Sequence, residues 1–284
     1  MSASEIRWCL VVATIGRTAE VGALLGSLAA QTGCGAIRIV LVDQNADHRL
    51  EAVLAPWRER LRIEQVRVPA NGVSQARNLG LERLGDATHV AFPDDDCTYL
   101  PDTLAVAEAA FAKDPRNDVL IGAIHAPGEA LAEMAGIPLR PCASRIGLLR
   151  GAGMPAQFYR RSALVGGRRF DPAFGPGGGT PWLCGEDSDF LIAAAAQHRA
   201  ARCPRIRLLH PRVDRAGTPP AKARGYGRGR IRLLRKWRFP SWFILASIMH
   251  PLLLCVVPGS SPRFRWHLFR GRWSEWLTPH RPQP

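Results

Sequence analysis

The most informative segment of the chain is Val90-Ala91-Phe92-Pro93-Asp94-Asp95-Asp96, in which an apolar strand runs directly into three carboxylates. Three acids at one strand end repel each other and cost stability unless a cation compensates them. Hard oxygen ligands of this kind suit Mg²⁺ or Mn²⁺. Alternation along an extended chain puts Asp94 and Asp96 on the same side, where they can share a metal or divide their contacts between a metal and a ribose. The alternative is a solvated acidic turn.

Apolar runs and helical patterns alternate on both sides of this segment. Strands are predicted at residues 8–13, 37–42, 62–68 and 88–92, and helices at residues 20–31, 49–60, 73–84 and 100–113. This βα repeat predicts an α/β fold, a Rossmann-like, mostly parallel sheet flanked by helices. In such a sheet the ligand crevice lies at the carboxyl ends of the strands.

The regular alternation ends after a further strand, predicted at residues 118–124. Residues 126–181 are rich in Gly and Pro, which favours loops over the mouth of the sheet. A helix at residues 187–197 and a last strand at residues 206–209 complete the predicted fold.

Polar side chains follow the first two strands at the predicted mouth. Thr14 and Arg17 come after the first strand, and Asp43 and Asn45 after the second. Side chains there can hydrogen-bond a nucleobase and a ribose, while the next helix N-terminus attracts phosphate. Polar turn residues that cap helices are an equally good interpretation of either pair alone.

A glycine turn at Gly72 leads into a helix that carries Arg77 and Asn78 beside small residues. An arginine near a helix start can hold a diphosphate or order nearby carboxylates. The alternative for Arg77 is a surface salt bridge.

A second acidic site lies at Glu186 and Asp187, after a glycine-rich approach that contains Trp182. An N-capped helix explains Asp189 fully, because acids complement the helix dipole. It does not explain the aromatic, glycine-rich approach. A carboxylate beneath a loop is well placed to take a proton from a bound hydroxyl.

Taken in order, these motifs resemble family 2 glycosyltransferases of the GT-A fold, over roughly residues 6–215. The resemblance is carried by residues 14–17, 43–45 and 72–78, by the match of residues 94–96 to the family's DxD motif, and by the match of residues 186–187 to its ED motif. It implies transfer from a nucleotide-sugar with inversion at the anomeric carbon, by a single displacement.

The resemblance also implies roles for individual residues. Asp96 and Asp94 would bind the metal and the nucleotide-sugar, and Asp43 the nucleobase; Thr14, Arg17, Asn45 and Asp95 complete the donor site. Asp187, with Glu186 beside it, would be the general base for the acceptor hydroxyl. Arg77 and the metal would neutralise the departing diphosphate.

Two further features refine this expectation. His210 follows the last predicted strand, where some relatives place a histidine near the diphosphate or metal, although a lone histidine is more often structural. The QxxRW motif of processive polysaccharide synthases is absent from the sequence, which favours transfer of a single sugar.

Charge is strongly segregated along the 284 residues, whose net charge is +14. Residues 1–198 contain 19 Lys or Arg and 22 acids, whereas the remainder contains 19 Lys or Arg and only two acids. We therefore predict a catalytic domain at residues 1–215 and a basic, apolar, helical region at residues 216–284 that associates with an anionic membrane surface.

The apolar run at residues 242–257 is interrupted by His250 and Pro251. It is short for a membrane span, so we favour a helix that lies in or re-enters the interface; a single span and packing against the catalytic domain are the alternatives. The seven scattered cysteines, without a CxxC pair, indicate a reducing compartment, and the N-terminus shows no signal peptide. These features predict the cytoplasmic side of a membrane.

The leading functional hypothesis is an enzyme that moves one sugar to a lipid-linked or saccharide acceptor, in cell-surface polysaccharide or glycolipid synthesis. One alternative is a metal-dependent nucleotidyltransferase, which the single Gly and Arg after the first strand match poorly. Another is a non-catalytic protein that binds a membrane or nucleic acid. The intact acidic sites argue against it, and no nucleic-acid partner is expected.

Overall fold

The structure is a computed structural model, and it describes residues 6–131, 136–150, 153–212, 214–256 and 261–279. The described residues form one nine-stranded sheet and nine α-helices. The strands are β1 (Arg7–Thr14), β2 (Ala36–Asp43), β3 (Arg62–Arg67), β4 (His89–Ala91), β5 (Thr98–Tyr99), β6 (Asn117–His125), β7 (Arg140–Pro141), β8 (Gln157–Arg160) and β9 (Arg199–Leu209).

The helices alternate with the early strands and follow one another at the end of the chain. They are α1 (Ala19–Ala29), α2 (Glu51–Leu54), α3 (Val73–Leu81), α4 (Thr103–Lys113), α5 (Arg145–Leu148), α6 (Glu186–Ala195), α7 (Pro220–Lys236), α8 (Ser241–Leu253) and α9 (Pro262–Leu277). Short 3-10 helices occur at Ala55–Trp57, Met154–Ala156, Arg161–Leu164 and Leu254–Val256.

The sheet is mostly parallel, as predicted. Its strand order is β3-β2-β1-β4-β8-β6-β9-β5, and β7 also pairs with β9. Six strands run in one direction, and β5, β7 and β8 run against them. The α/β architecture is therefore confirmed, with the carboxyl ends of β1, β2 and β4 side by side.

Apolar side chains cover both faces of the sheet, because successive residues of a strand point to opposite faces. In β1, Cys9 and Val11 belong to one buried cluster, while Leu10 and Val12 belong to the other. The second cluster includes residues of α1 and α4, and the first includes residues of α3, α6, α7 and α8.

The largest differences from the prediction concern three elements. The helix expected at residues 49–60 is reduced to α2, after which Pro56 lies in a 3-10 helix. The last strand begins at Arg199 instead of residue 206, since its buried residues alternate with arginines that hide the pattern. Within the segment predicted as loops, β8 pairs with β4 and β6 in the middle of the sheet.

The C-terminal helices pack against the sheet domain through a buried carboxylate. Asp189 of α6 accepts hydrogen bonds from Lys236 Nζ at 2.9 Å and from Trp237 Nε1 at 2.8 Å. Burial raises the pKa of Asp189, and the Lys236 ammonium opposes that effect. The end of α7 thus supplies the counter-charge of a core residue.

The apolar run forms α8 and the 3-10 helix after it, while Val257 lies outside the described residues. Among the helices formed by the described residues, none is both long and apolar enough to cross a membrane.

Candidate active site

A cavity of about 780 Å³ lies at the carboxyl ends of the parallel strands. Nine of the eleven predicted site residues line it: Thr14, Arg17, Arg77, Asp94, Asp95, Asp96, Glu186, Asp187 and His210. Two acidic groups that are some ninety positions apart in the sequence therefore share one cavity.

The first acidic group (Asp94, Asp95 and Asp96) follows β4 and the buried residues Phe92 and Pro93. Arg17 pairs with Asp95 and, at 2.8 Å, with the Oδ2 of Asp96. His210, directly after β9, places its Nε2 3.1 Å from Asp96 Oδ1 and 3.6 Å from Asp94 Oδ2. Each carboxylate of the group thus has a cationic side chain near it.

Three side chains of this site fit a divalent cation. Asp94, Asp96 and His210 each offer one potential ligand atom, and these three atoms lie within 4.8 Å of one another. Two hydrogen bonds, to Asp94 and, with a smaller effect, to Asp96, raise the pKa of His210 to about 10. The carboxylates therefore favour a positive charge at this point. Carboxylate oxygens suit Mg²⁺ or Mn²⁺, and the imidazole can join them once it loses its proton.

Arg77 joins the first acidic group to the second. Its guanidinium donates to Asp94 Oδ1 at 2.7 Å and to Asp187 Oδ1 at 3.0 Å. The side chain is only 5% exposed and lies over the ring of Phe170, with the guanidinium carbon 5.5 Å from the ring centre. Arg77 is therefore buried inside the protein, which contradicts the alternative of a surface salt bridge.

The second acidic group (Glu186 and Asp187) opens α6. Gly185 before it has a φ of 113°, a conformation that residues with a Cβ rarely adopt. Asp187 Oδ2 accepts a hydrogen bond from the backbone N–H of Met154 at 3.1 Å. With 28% of its side chain exposed, Asp187 is within reach of a molecule in the cavity.

Both carboxyl groups of the second acidic group have raised pKa values. Burial raises the pKa of Asp187 even though Arg77 opposes the shift. Burial, and then the charge of Asp187, raise the pKa of Glu186 to about 8. Within the described part of the chain, Glu186 Oε2 is buried without a hydrogen-bond partner. This group therefore binds protons more readily than ordinary acids do.

Asp43 and Asn45 lie behind the cavity wall. The Asp43 carboxylate is fully buried and accepts hydrogen bonds from the side chains of Asn45, at 2.7 Å, and Gln65, at 3.0 Å. Asn45 Oδ1 accepts from the backbone N–H of Gly16 at 2.7 Å. Gln44, between them, lines the cavity. The nucleobase role of Asp43 stays a prediction.

The glycine-rich loop at residues 175–179 borders the cavity through Pro176 and Gly177. The N–H of Val73 donates to the carbonyl of Pro176 at 3.1 Å. A Cβ on Gly177 would lie 2.8 Å from Gly72 Cα, so a side chain there would separate the two segments. The loop is thus attached by its backbone to the start of α3.

Three cationic or aromatic residues of the cavity wall were not predicted: Arg212 after β9, and Lys222 and Tyr226 on α7. Lys222 and Tyr226 are four positions apart and so lie on one side of their helix, which is the only sequence signal that marks them. The predicted boundary at residue 215 stays a prediction, although the helix beyond it contributes to the cavity.

Solved structures show the same fold at low sequence identity. TarS of S. aureus, residues 1–349 in complex with UDP-GlcNAc, has a TM-score of 0.60 and 16% identity, over 95% of this chain and 72% of that one. The mannosyltransferase PcManGT of Pyrobaculum calidifontis, in complex with GDP-Man and Mn²⁺, has a TM-score of 0.68 and 14% identity, over 97% of this chain and 88% of that one.

Sequence comparison identifies the family of the chain, although it finds no individual relative among curated proteins. No curated protein matches the chain in sequence. The model of the family described as "Glycosyl transferase family 2" matches residues 9–151, just over half of the chain and including the first acidic group. The match confirms the resemblance carried by the ordered motifs, and the chain belongs to glycosyl transferase family 2.

Proposed function

We propose that this protein transfers one sugar from a nucleotide-sugar donor to a hydroxyl group of a lipid-linked or saccharide acceptor, with inversion and with the help of Mg²⁺ or Mn²⁺. One observation carries the proposal. Arg77 contacts Asp94 and Asp187 at the same time, so the carboxylates suited to a metal and those suited to a proton border one cavity.

Asp187 is the general base of the proposed reaction. It is partly exposed in the cavity, and its position is held by Arg77 and by the N–H of Met154. The acceptor oxygen attacks the anomeric carbon as the bond from that carbon to the diphosphate breaks. The hydroxyl proton passes to Asp187, and the nucleoside diphosphate leaves. A raised pKa suits a group that must take up this proton.

Cationic groups that line the cavity stabilise the leaving diphosphate. A divalent ion held by Asp94, Asp96 and His210 would supply positive charge to the diphosphate oxygens. Arg77 and Lys222 also line the cavity and add positive charge there. Arg17 holds Asp95 and Asp96 in place.

The nature of the donor is supported by the structural relatives. The solved structure of TarS is a complex with UDP-GlcNAc, and that of PcManGT is a complex with GDP-Man and Mn²⁺. A cavity of about 780 Å³ is large enough for a molecule of this class. We propose transfer of a single sugar because the chain has no QxxRW motif.

Product analysis tests the reaction class. The full-length protein is incubated with a panel of uridine and guanosine sugar nucleotides, with and without Mn²⁺, and the released nucleotide is identified by ion-exchange chromatography. We expect a nucleoside diphosphate, formed only in the presence of the metal. Release of a sugar 1-phosphate, with transfer of the nucleoside monophosphate, would instead support a nucleotidyltransferase, and equal rates after chelation would contradict the proposed metal site.

A further inference from the structure

Helix α8 exposes a row of large apolar side chains. We call it the α8 apolar row, and its members are exposed as follows: Trp242 64%, Leu245 46%, Met249 44% and Leu253 69%. Their spacing of three or four residues places them on one face of the helix. Ile244 and Ile248, on the other face, are buried. The helix therefore packs on the protein with one face and presents an apolar face outward.

Apolar exposure is concentrated in this part of the molecule. Seven of the ten large apolar side chains that are exposed in the described residues lie on α8 and α9. On α9, the rings of Trp266, Phe269 and Trp273 stack in sequence, with centroids 5.7 and 6.1 Å apart. Single exposed apolar residues need no explanation, but a cluster of this kind marks an interaction surface.

The surroundings of α8 are positively charged. Residues 216–284 contain thirteen Lys or Arg and one acid, Glu275, which is buried. Exposed arginines stand before and after the helix, at Arg238 and Arg263. Burial lowers the pKa of His250 on α8, and the nearby charges of Arg272, Arg265 and Arg230 lower it further.

The combination of an apolar row with excess positive charge decides between the possible partners. A second copy of the chain would bring two sets of arginines together, which is unfavourable. A nucleic acid would match the charge but has no aliphatic surface on which a row of Leu and Met side chains could be buried. An anionic bilayer supplies acidic headgroups and, directly beneath them, an apolar layer.

We propose that α8 docks on an anionic lipid bilayer, parallel to its surface, with the α8 apolar row at the depth of the upper acyl chains and Arg238 and Arg263 among the headgroups. This proposal concerns binding alone and does not depend on the sugar-transfer activity. It assigns a lipid partner to four named side chains.

Co-sedimentation of the full-length protein with vesicles tests the proposal. One set of vesicles contains equal amounts of phosphatidylcholine and phosphatidylglycerol, and the other contains phosphatidylcholine alone. We expect strong binding to the anionic vesicles only. The affinity of the triple variant Trp242→Ser/Leu245→Ser/Leu253→Ser for these vesicles should be lower by a factor on the order of ten or more. The matched control is Val165→Ser, whose residue is 59% exposed outside the C-terminal helices.

A second pair of measurements separates the charge and depth parts of the proposal. Arg238→Gln/Arg263→Gln should weaken binding to anionic vesicles while unfolding at the temperature of the unmodified protein. Brominated acyl chains should quench tryptophan fluorescence less in Trp242→Phe than in the unmodified protein. This readout needs only a conservative change, so it remains decisive if the triple variant fails to fold.

Several results would overturn the proposal. They are failure of the unmodified protein to bind anionic vesicles, unchanged binding by a folded triple variant, and equal quenching in Trp242→Phe. Self-association that the triple variant abolishes would assign the row to a second copy. Binding of RNA in place of vesicles, abolished by the arginine variant, would assign the charge to nucleic acid.

Discussion

The two acidic groups of the cavity differ in how their charge is balanced. In the first acidic group, Arg17, Arg77 and His210 all lie within ion-pair distance of a carboxylate. In the second, Arg77 reaches Asp187, whereas Glu186 Oε2 is buried without a partner among the described residues. The first group is thus arranged for a positive charge, and the second is arranged to hold a proton.

This difference shows that carboxylates in one cavity can be given separate chemistry by their neighbours alone. Burial raises the pKa of Asp95 as well as those of Glu186 and Asp187, whereas at Asp96 the effect of burial is outweighed by His210 and Arg17, which lower its pKa. Arg77 is the shared element, because it keeps the two groups at a fixed distance. A substitution in the second acidic group should therefore leave metal binding by the first group measurable, and a substitution in the first should leave proton uptake by the second measurable.

Replacement of the proposed base should have the largest effect. Asp187→Asn keeps the shape of the side chain but removes its ability to accept a proton, so we expect turnover to fall by about 10²- to 10⁴-fold. Nucleoside diphosphate release measures turnover, and thermal stabilisation by the sugar nucleotide with Mn²⁺ measures donor binding, which should survive. Normal turnover by this variant would refute the assignment of Asp187.

Removal of the shared cation should destabilise the protein. Arg77→Gln removes the guanidinium that lies between Asp94 and Asp187, which we expect to cost about 3 kcal/mol in the free energy of unfolding. Chemical denaturation measures this loss. The double variant Arg77→Gln/Asp187→Asn should be more stable than Arg77→Gln alone, and if it is less stable, repulsion between the two groups is not the cause.

The pH dependence of stability should reveal the buried carboxyl of Glu186. Its pKa is raised from 4.5 to about 8 in the folded protein. Between these pH values the unfolded chain has released a proton that the folded protein retains, so stability falls as pH rises from 4.5 to 8.

The glutamine in Glu186→Gln cannot titrate, so the stability of this variant should decrease with pH by roughly 2 kcal/mol less than that of the unmodified protein. This difference is smaller than the full pKa shift of Glu186 implies, because Asp187 titrates differently in the variant. Unfolding free energies of both proteins across this pH range provide the measurement. Parallel curves for the two proteins would contradict the raised pKa of Glu186.

Loss of one proposed metal ligand should have the smallest effect of the series. Asp96→Asn leaves Asp94 and His210 in place, so Mn²⁺ affinity should fall by about tenfold while folding is retained. Titration of Mn²⁺ followed by thermal unfolding measures this change. Asp102→Asn, an exposed carboxylate at the start of α4, is the matched control and should leave the affinity unchanged.

The early part of the fold and both acidic groups could be predicted because their signals are local. β1, β2 and β4 are apolar runs, the first acidic group comes just after β4, and the second lies at the start of α6 after a glycine-rich segment. The short strand β8 could not be predicted, since its four residues are stabilised by pairing with β4 and β6, which lie far from it in sequence.

Helix α7 illustrates a second limit of sequence-based prediction. Gly225, Gly227 and Gly229 lower its intrinsic helix propensity, so the sequence predicts a helical C-terminal region without giving the bounds of this helix or the side that faces the cavity. In the folded protein they allow close packing, because a Cβ on Gly229 would lie 2.2 Å from the carbonyl oxygen of Cys184. The cavity residues Lys222 and Tyr226 on this helix were missed for the same reason.

The hydrogen bonds from Lys236 and Trp237 to Asp189 limit how this enzyme can be re-engineered. A chimera that joined residues 1–215 to a foreign C-terminal segment would leave a carboxylate in the core without its counter-ion, two positions after the proposed base. The loss of one partner of a buried ion pair costs about 3–5 kcal/mol, comparable to the total stability of many small domains. Such a chimera would need an apolar residue in place of Asp189 before its catalytic half could be studied alone.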